Sequence, residues 1–119
     1  MLRIGTVVMG VTDMTRALTF WCAALDYVPR EAPEDDWVVL VPRTGEGAAL
    51  ALGLSETSIQ AHPRMHLDLY PDNQGAEIRR LISLGAREVE WDMYGDDPDF
   101  VVLADPEGNV FCVIDTAHG

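Results

Sequence analysis

The chain has 119 residues, 20 of them acidic and eight basic, for a net charge of −12. That balance argues against nucleic acid and anionic membrane surfaces, because phosphate contacts need Lys and Arg. An apolar fraction of 48% argues against disorder, and the length suits one domain, residues 1–119, with a sizeable core.

The elements follow in chain order. Arg3 to Gly10, rich in Ile, Val and Met, predicts a buried strand. Thr12 and Asp13 are N-cap residues for a helix over Met14 to Leu25, where Met14, Ala17, Leu18, Trp21 and Leu25 recur at helical spacing. Strands are expected at Tyr27 to Arg30, Trp37 to Val41 and Gly47 to Gly53, with a link from Leu54 to Pro63. A fifth strand is expected at Arg64 to Tyr70 and a second helix from about Asn73 to Leu84, which Gly85 stops. Strands at Ala86 to Glu90, Phe100 to Ala104 and Asn109 to Asp115 complete the order. The last two are joined by the turn Asp105-Pro106-Glu107-Gly108-Asn109.

The second half repeats the first. Trp37-Val38-Val39-Leu40 returns as Phe100-Val101-Val102-Leu103, and the acidic lead-in Glu34-Asp35-Asp36 returns as Asp96-Asp97-Pro98-Asp99. Thr6-Val7-Val8-Met9 running toward Asp13 matches His66-Leu67-Asp68-Leu69 running toward Asp72. Two copies are too few for an open solenoid. They predict one pseudo-symmetric α+β body of two βαβββ modules, residues 1–56 and 57–119. Its sheet should be mixed, because a helix crossover gives parallel neighbours and short turns give antiparallel ones.

This layout resembles the vicinal oxygen chelate superfamily of glyoxalase I, bleomycin-resistance proteins and extradiol dioxygenases, and is closest to small glyoxalase-like domain proteins. Three stretches carry the resemblance: Asp13 to Trp21, His66 to Leu69, and Phe100 to Asn109 with its D-P-E-G-N turn. The resemblance implies an incomplete barrel around a cavity between the modules, and a homodimer. It also implies a divalent ion held by residues of the first, fifth and last strands, with a further ligand from the last strand of module one. Carried over one at a time, those positions fall on Thr6, His66, Cys112 and, in the first module, Ala51. Only His66 is a natural ligand in its place, with Cys112 a chemically feasible one, so the ligand set is incomplete. No cofactor is therefore expected, and any metal would rest on His66.

Strand alternation groups His66, Asp68 and Tyr70 on one face, opposite the repeat-related Thr6. His66 and Asp68 are the candidate acid–base or anchoring pair, and a hydrogen-bonded structural histidine is the plain alternative. Cys112, among Val110 and Ile114, reads as an inert thiol of raised pKa lining the same face. Trp37, Trp91, Tyr94 and Phe100 are candidates to stack on a flat ligand at the rim, or ordinary packing aromatics. The expectation is a small-molecule binder without the family's catalytic metal, like the bleomycin-resistance branch. The alternative is a lyase or isomerase that uses His66. Cys22 and Cys112 make no disulfide framework, and the N-terminus shows no long apolar segment, so a cytoplasmic protein is expected.

Overall fold

A computed structural model of the protein describes residues 1–118. The described chain forms two compact units, residues 1–58 and the residues from Ile59 on. No helix among the described residues is long and apolar enough to cross a membrane.

The first unit runs β1 (Thr6–Val11), α1 (Met14–Leu25), β2 (Tyr27–Pro29), β3 (Trp37–Pro42) and β4 (Ala49–Leu54). Its four strands lie in the order β1-β4-β3-β2. β1 pairs with β4 in parallel, while the β3–β4 and β2–β3 pairs are antiparallel. The sheet is therefore mixed, as the repeat predicts. The Asp13 side chain caps α1 by accepting from Arg16 N at 3.1 Å. Its helical stripe buries Ala17 and Trp21, and also Phe20, which meets Trp21 edge-on at 5.0 Å between ring centroids. Burying a Phe side chain contributes about 1.5–3 kcal/mol. These residues and the buried Val38, Leu40, Leu50 and Leu52 make the core of the unit.

The second unit repeats the plan with β5 (Asp68–Leu69), α2 (Gln74–Leu84), β6 (Arg87–Glu88), β7 (Phe100–Ala104) and β8 (Val110–Ile114). The strand order is β5-β8-β7-β6, with β5 parallel to β8 and the other pairs antiparallel. Both modules are thus βαβββ, and neither four-stranded sheet closes into a barrel.

Several strand limits differ from the sequence reading. β1 starts at Thr6 rather than Arg3, and β4 runs over Ala49–Leu54. β5 is two residues long, not the whole of Arg64 to Tyr70. Arg64, Met65 and His66 are exposed, and Pro71 has no N–H to extend the ladder beyond Tyr70. Met65 in particular is 85% exposed. β6 likewise keeps only two residues of Ala86 to Glu90.

The two turns that frame the second unit have identifiable causes. Asp105, itself buried, accepts from Glu107 N at 2.9 Å and Asn109 N at 2.8 Å through one carboxylate oxygen, and Gly108 takes a φ of 93°. Gly85 ends α2 at φ 120°, where a Cβ would also meet Pro106 Cγ at 3.2 Å. Gly85→Ala is expected to lower the unfolding free energy by about 1–2 kcal/mol, read as a shift of the urea midpoint. An unchanged midpoint would show that this backbone conformation is not required.

Candidate functional site

The register of the second sheet builds the site. β5 and β8 pair so that Asp68 lies opposite Cys112, and β7 pairs with β8 so that Val102 also lies opposite Cys112. Paired residues project from the same side of a sheet. Asp68, Cys112 and Val102 therefore share one face, and alternation along β7 and β8 adds Phe100 and Ile114. Leu69, Val113 and Val101 take the other face.

His66 stands just before β5. Its Nε2 lies 2.9 Å from Asp68 Oδ1. An ionised carboxylate only accepts, so Nε2–H donates, and in the neutral imidazole the lone pair is then on Nδ1. Potential ligand atoms of His66, Asp68 and Cys112 all lie within 4.8 Å of one another. The His66 and Asp68 side chains are 41% and 47% exposed, whereas Cys112 is buried. Burial pushes the Cys112 thiol up to about 11, and the charge of Asp68 and a hydrogen bond to it act in the same direction. The thiol is a poor nucleophile at neutral pH, and Asp68 serves as acceptor to both neighbours.

The repeat gives this cluster a counterpart in the first unit. Val8 pairs with Ala51 as Asp68 pairs with Cys112, and Thr6 stands two residues before Val8 as His66 does before Asp68. Thr6, Val8 and Ala51 supply no imidazole, carboxylate or thiol. Two positions of the four-ligand set implied by the resemblance, Thr6 and Ala51, thus fall where no strong donor stands. Asp68 adds a third donor beside His66 and Cys112 that the carry-over did not contain.

The remaining sequence candidates divide. Phe100 opens β7 on the same face as Cys112, and Tyr94 stacks on it at 5.2 Å while its hydroxyl accepts from Val102 N at 2.8 Å. Tyr70, just past β5, is 77% exposed. Trp91 lies 4.7 Å from the His62 ring, and His62 Nε2 lies 2.9 Å from Asp92 Oδ1. That hydrogen bond holds the Asp92 carboxyl below its usual value. Thr6 is exposed on β1 of the first unit, where the half-exposed Trp37 ring lies against Gly53. Sequence reading missed His62 because its partners lie some 30 residues away with no local pattern to announce them.

The folded Cys112 thiol holds its proton above the ordinary value of 9.0, so its contribution to stability is present below pH 9 and is lost as pH rises toward 11. In chelator-treated Cys22→Ser protein, thiolate absorbance is expected to titrate with a midpoint of about 11. Asp68→Asn should bring that midpoint down, because it removes a charge that opposes the thiolate. A midpoint at the ordinary value, or one indifferent to Asp68→Asn, would separate the thiol from the carboxylate.

Comparison with known proteins follows the same lines. A family model described as Glyoxalase-like domain matches residues 6–114. No curated protein sequence matches the chain. Among solved structures, a protein of Agrobacterium tumefaciens is similar with a TM-score of 0.75 at 14% identity, over 96% of this chain and 97% of its own. A glyoxalase/bleomycin resistance protein/dioxygenase family enzyme from Burkholderia phytofirmans gives 0.70 at 20% identity, over 94% and 97%. A mutant fosfomycin resistance protein from Listeria monocytogenes, in complex with Mn(II) and a dihydroxypropylphosphonic acid, gives 0.71 at 11% identity, over 96% and 89%. At these identities the likeness to the solved structures concerns the fold.

Proposed function

The chain belongs to the glyoxalase-like domain family of the vicinal oxygen chelate superfamily, and from that premise we propose that it binds a small molecule on the sheet face carrying His66, Asp68 and Cys112. The observation that carries this reading is the gathering of an imidazole, a carboxylate and a thiol around one accessible point of an otherwise apolar face. Polar groups in such a place favour a ligand that gives them partners. Phe100 on the same face, backed by Tyr94, offers a flat apolar wall for an aromatic ligand. The net charge of −12 favours a cationic one.

The binding does not need the oxygen-rich four-ligand centre that the family resemblance implies, since Thr6 and Ala51 offer it no strong donor. The Listeria relative carries Mn(II), and a hard ion of that kind prefers several oxygen or imidazole donors over a thiol. A second reading, a lyase or isomerase, is favoured by the tautomer that Asp68 enforces. With Nε2–H held, Nδ1 of His66 presents a lone pair able to take a proton from a bound molecule, and Asp68 stabilises the resulting imidazolium.

Unpaired Cys22 and Cys112 support a reducing compartment such as the cytoplasm. Exposed Leu2, Ile4 and Val8, at and before edge strand β1, support self-association as a homodimer. Sedimentation showing only monomer at micromolar concentration would remove the dimer from this reading.

A panel of small aromatic amines and carboxylic acids, screened by NMR against metal-free protein, should shift the amides of Asp68, Leu69 and Val110 to Ile114. His66→Ala should weaken the best binder about 10-fold, the worth of one hydrogen bond to a charged group at about 1.5 kcal/mol. Shifts confined to other surfaces, or an affinity unmoved by His66→Ala, would reject the site.

A further inference from the structure

We propose that His66, Asp68 and Cys112 form a site for one thiophilic divalent ion of the zinc class, held by the second unit alone. The inference rests on the site read above but goes beyond it, since that reading requires no ion. The three donors are an imidazole nitrogen, a carboxylate oxygen and a sulfur, the mixture that zinc and cobalt accept and that magnesium and calcium do not.

Their spacing is near what coordination needs. With metal–ligand bonds of about 2.0–2.3 Å at tetrahedral angles, donor atoms lie roughly 3.3–3.6 Å apart. The present limit of 4.8 Å leaves about an ångström to close. The parts that must move are the ones able to: His66 stands outside the ladder, and its side chain and that of Asp68 are both partly exposed. Cys112 is the fixed point, buried in the strand that pairs with both β5 and β7. Three protein donors leave the fourth position of a tetrahedral ion open to a small molecule.

The first unit shows that the fold does not require this set. The same pairing geometry there carries Thr6, Val8 and Ala51, which have no such donors. Asp68 also matters in a way that the carried-over ligand positions do not capture, because it brings the count to three without Thr6 or Ala51.

Proton balance is simple. The imidazole proton resides on Nδ1 when Nε2 takes the ion, so His66 stays neutral. The Cys112 S–H bond breaks as the sulfur–metal bond forms, and one proton leaves to solvent for each ion bound. No oxidant or reductant enters.

The test is a titration of chelator-treated full-length protein with Co(II), which reports sulfur ligation as a near-ultraviolet charge-transfer band. One equivalent should saturate the band, Zn(II) should displace the cobalt, and excess Mn(II) or Mg(II) should not. Cys22→Ser should keep the band. Cys112→Ser should lose it, and Asp68→Asn should weaken binding at least about 10-fold. If Cys112→Ser fails to fold by circular dichroism, mass spectrometry of alkylated Cys22→Ser protein decides in its place: Zn(II) must shield the remaining thiol of otherwise folded protein. A folded protein with no band and no shielding, a band that survives Cys112→Ser, or Mn(II) bound as tightly as Zn(II) would each overturn the inference. Small-molecule binding to the metal-free protein at the same face would survive that failure. An ion bound in protein that takes no small molecule there would instead leave this inference standing and remove the earlier reading.

Discussion

In each unit the last strand pairs in parallel with the first, β4 with β1 and β8 with β5, and the other features hang on that pairing. A helix crossover returns the chain in its original direction, and the two short reversals that follow cancel each other. The last strand therefore arrives parallel to the first and is flanked on both sides. A strand so placed has its backbone groups paired along both edges, and the side chains in its middle are also withdrawn from solvent. Ala49, Leu50, Ala51 and Leu52 of β4 are all buried, as are Phe111, Cys112 and Val113 of β8. A polar side chain on that strand needs a partner from its neighbours, and in β8 the only candidate for one is the Cys112 thiol.

Asp68 answers that thiol from the edge strand. The carboxylate sits between Cys112 on one side and His66 on the other, so one group fixes the state of two. It adds to the burial that keeps the thiol protonated, and it favours the Nε2–H tautomer of the neutral imidazole. Asp68 is half exposed, which lets water moderate the cost of carrying a charge beside a buried sulfur. Two copies of one architecture thus differ in chemical character at the same place, with no imidazole, carboxylate or thiol in the first unit and all three in the second. The scaffold sets where a site can be, and the side chains set whether one is there.

The aromatic residues divide between these duties. Tyr94 closes the open edge of β7 by taking the Val102 N–H, satisfying a backbone donor that the two-residue β6 leaves uncovered. In doing so it lies against Phe100 and holds that ring at the end of the polar face. Trp91 and His62 form a separate cluster with Asp92, and His118 lies 3.2 Å from Asp97, so all three histidines of the chain face a carboxylate. In so acidic a chain, nearby carboxylates are the ordinary surroundings of an imidazole. What separates His66 is the buried thiol on the other side of its partner.

Much of this was legible in the order of residues. Periodic apolar positions, Asp13 and Asn73 as helix caps, Gly85 as a stop and the D-P-E-G-N turn are local signals, and each acts through neighbours in the chain. They fixed two βαβββ modules and the α+β class, and alternation put His66 beside Asp68. Strand limits were less legible: Arg64 to His66 look like strand, but no neighbour offers them a ladder. Cys112 was placed on the face of His66 and Asp68, but its direct pairing with Asp68 was not legible, because cross-strand register depends on contacts far apart in sequence that no local pattern records. The sequence by itself determined the elements and the types of side chain available. Only the tertiary structure decided which of them meet, since a parallel register is set by the packing of the whole sheet and not by any segment of it.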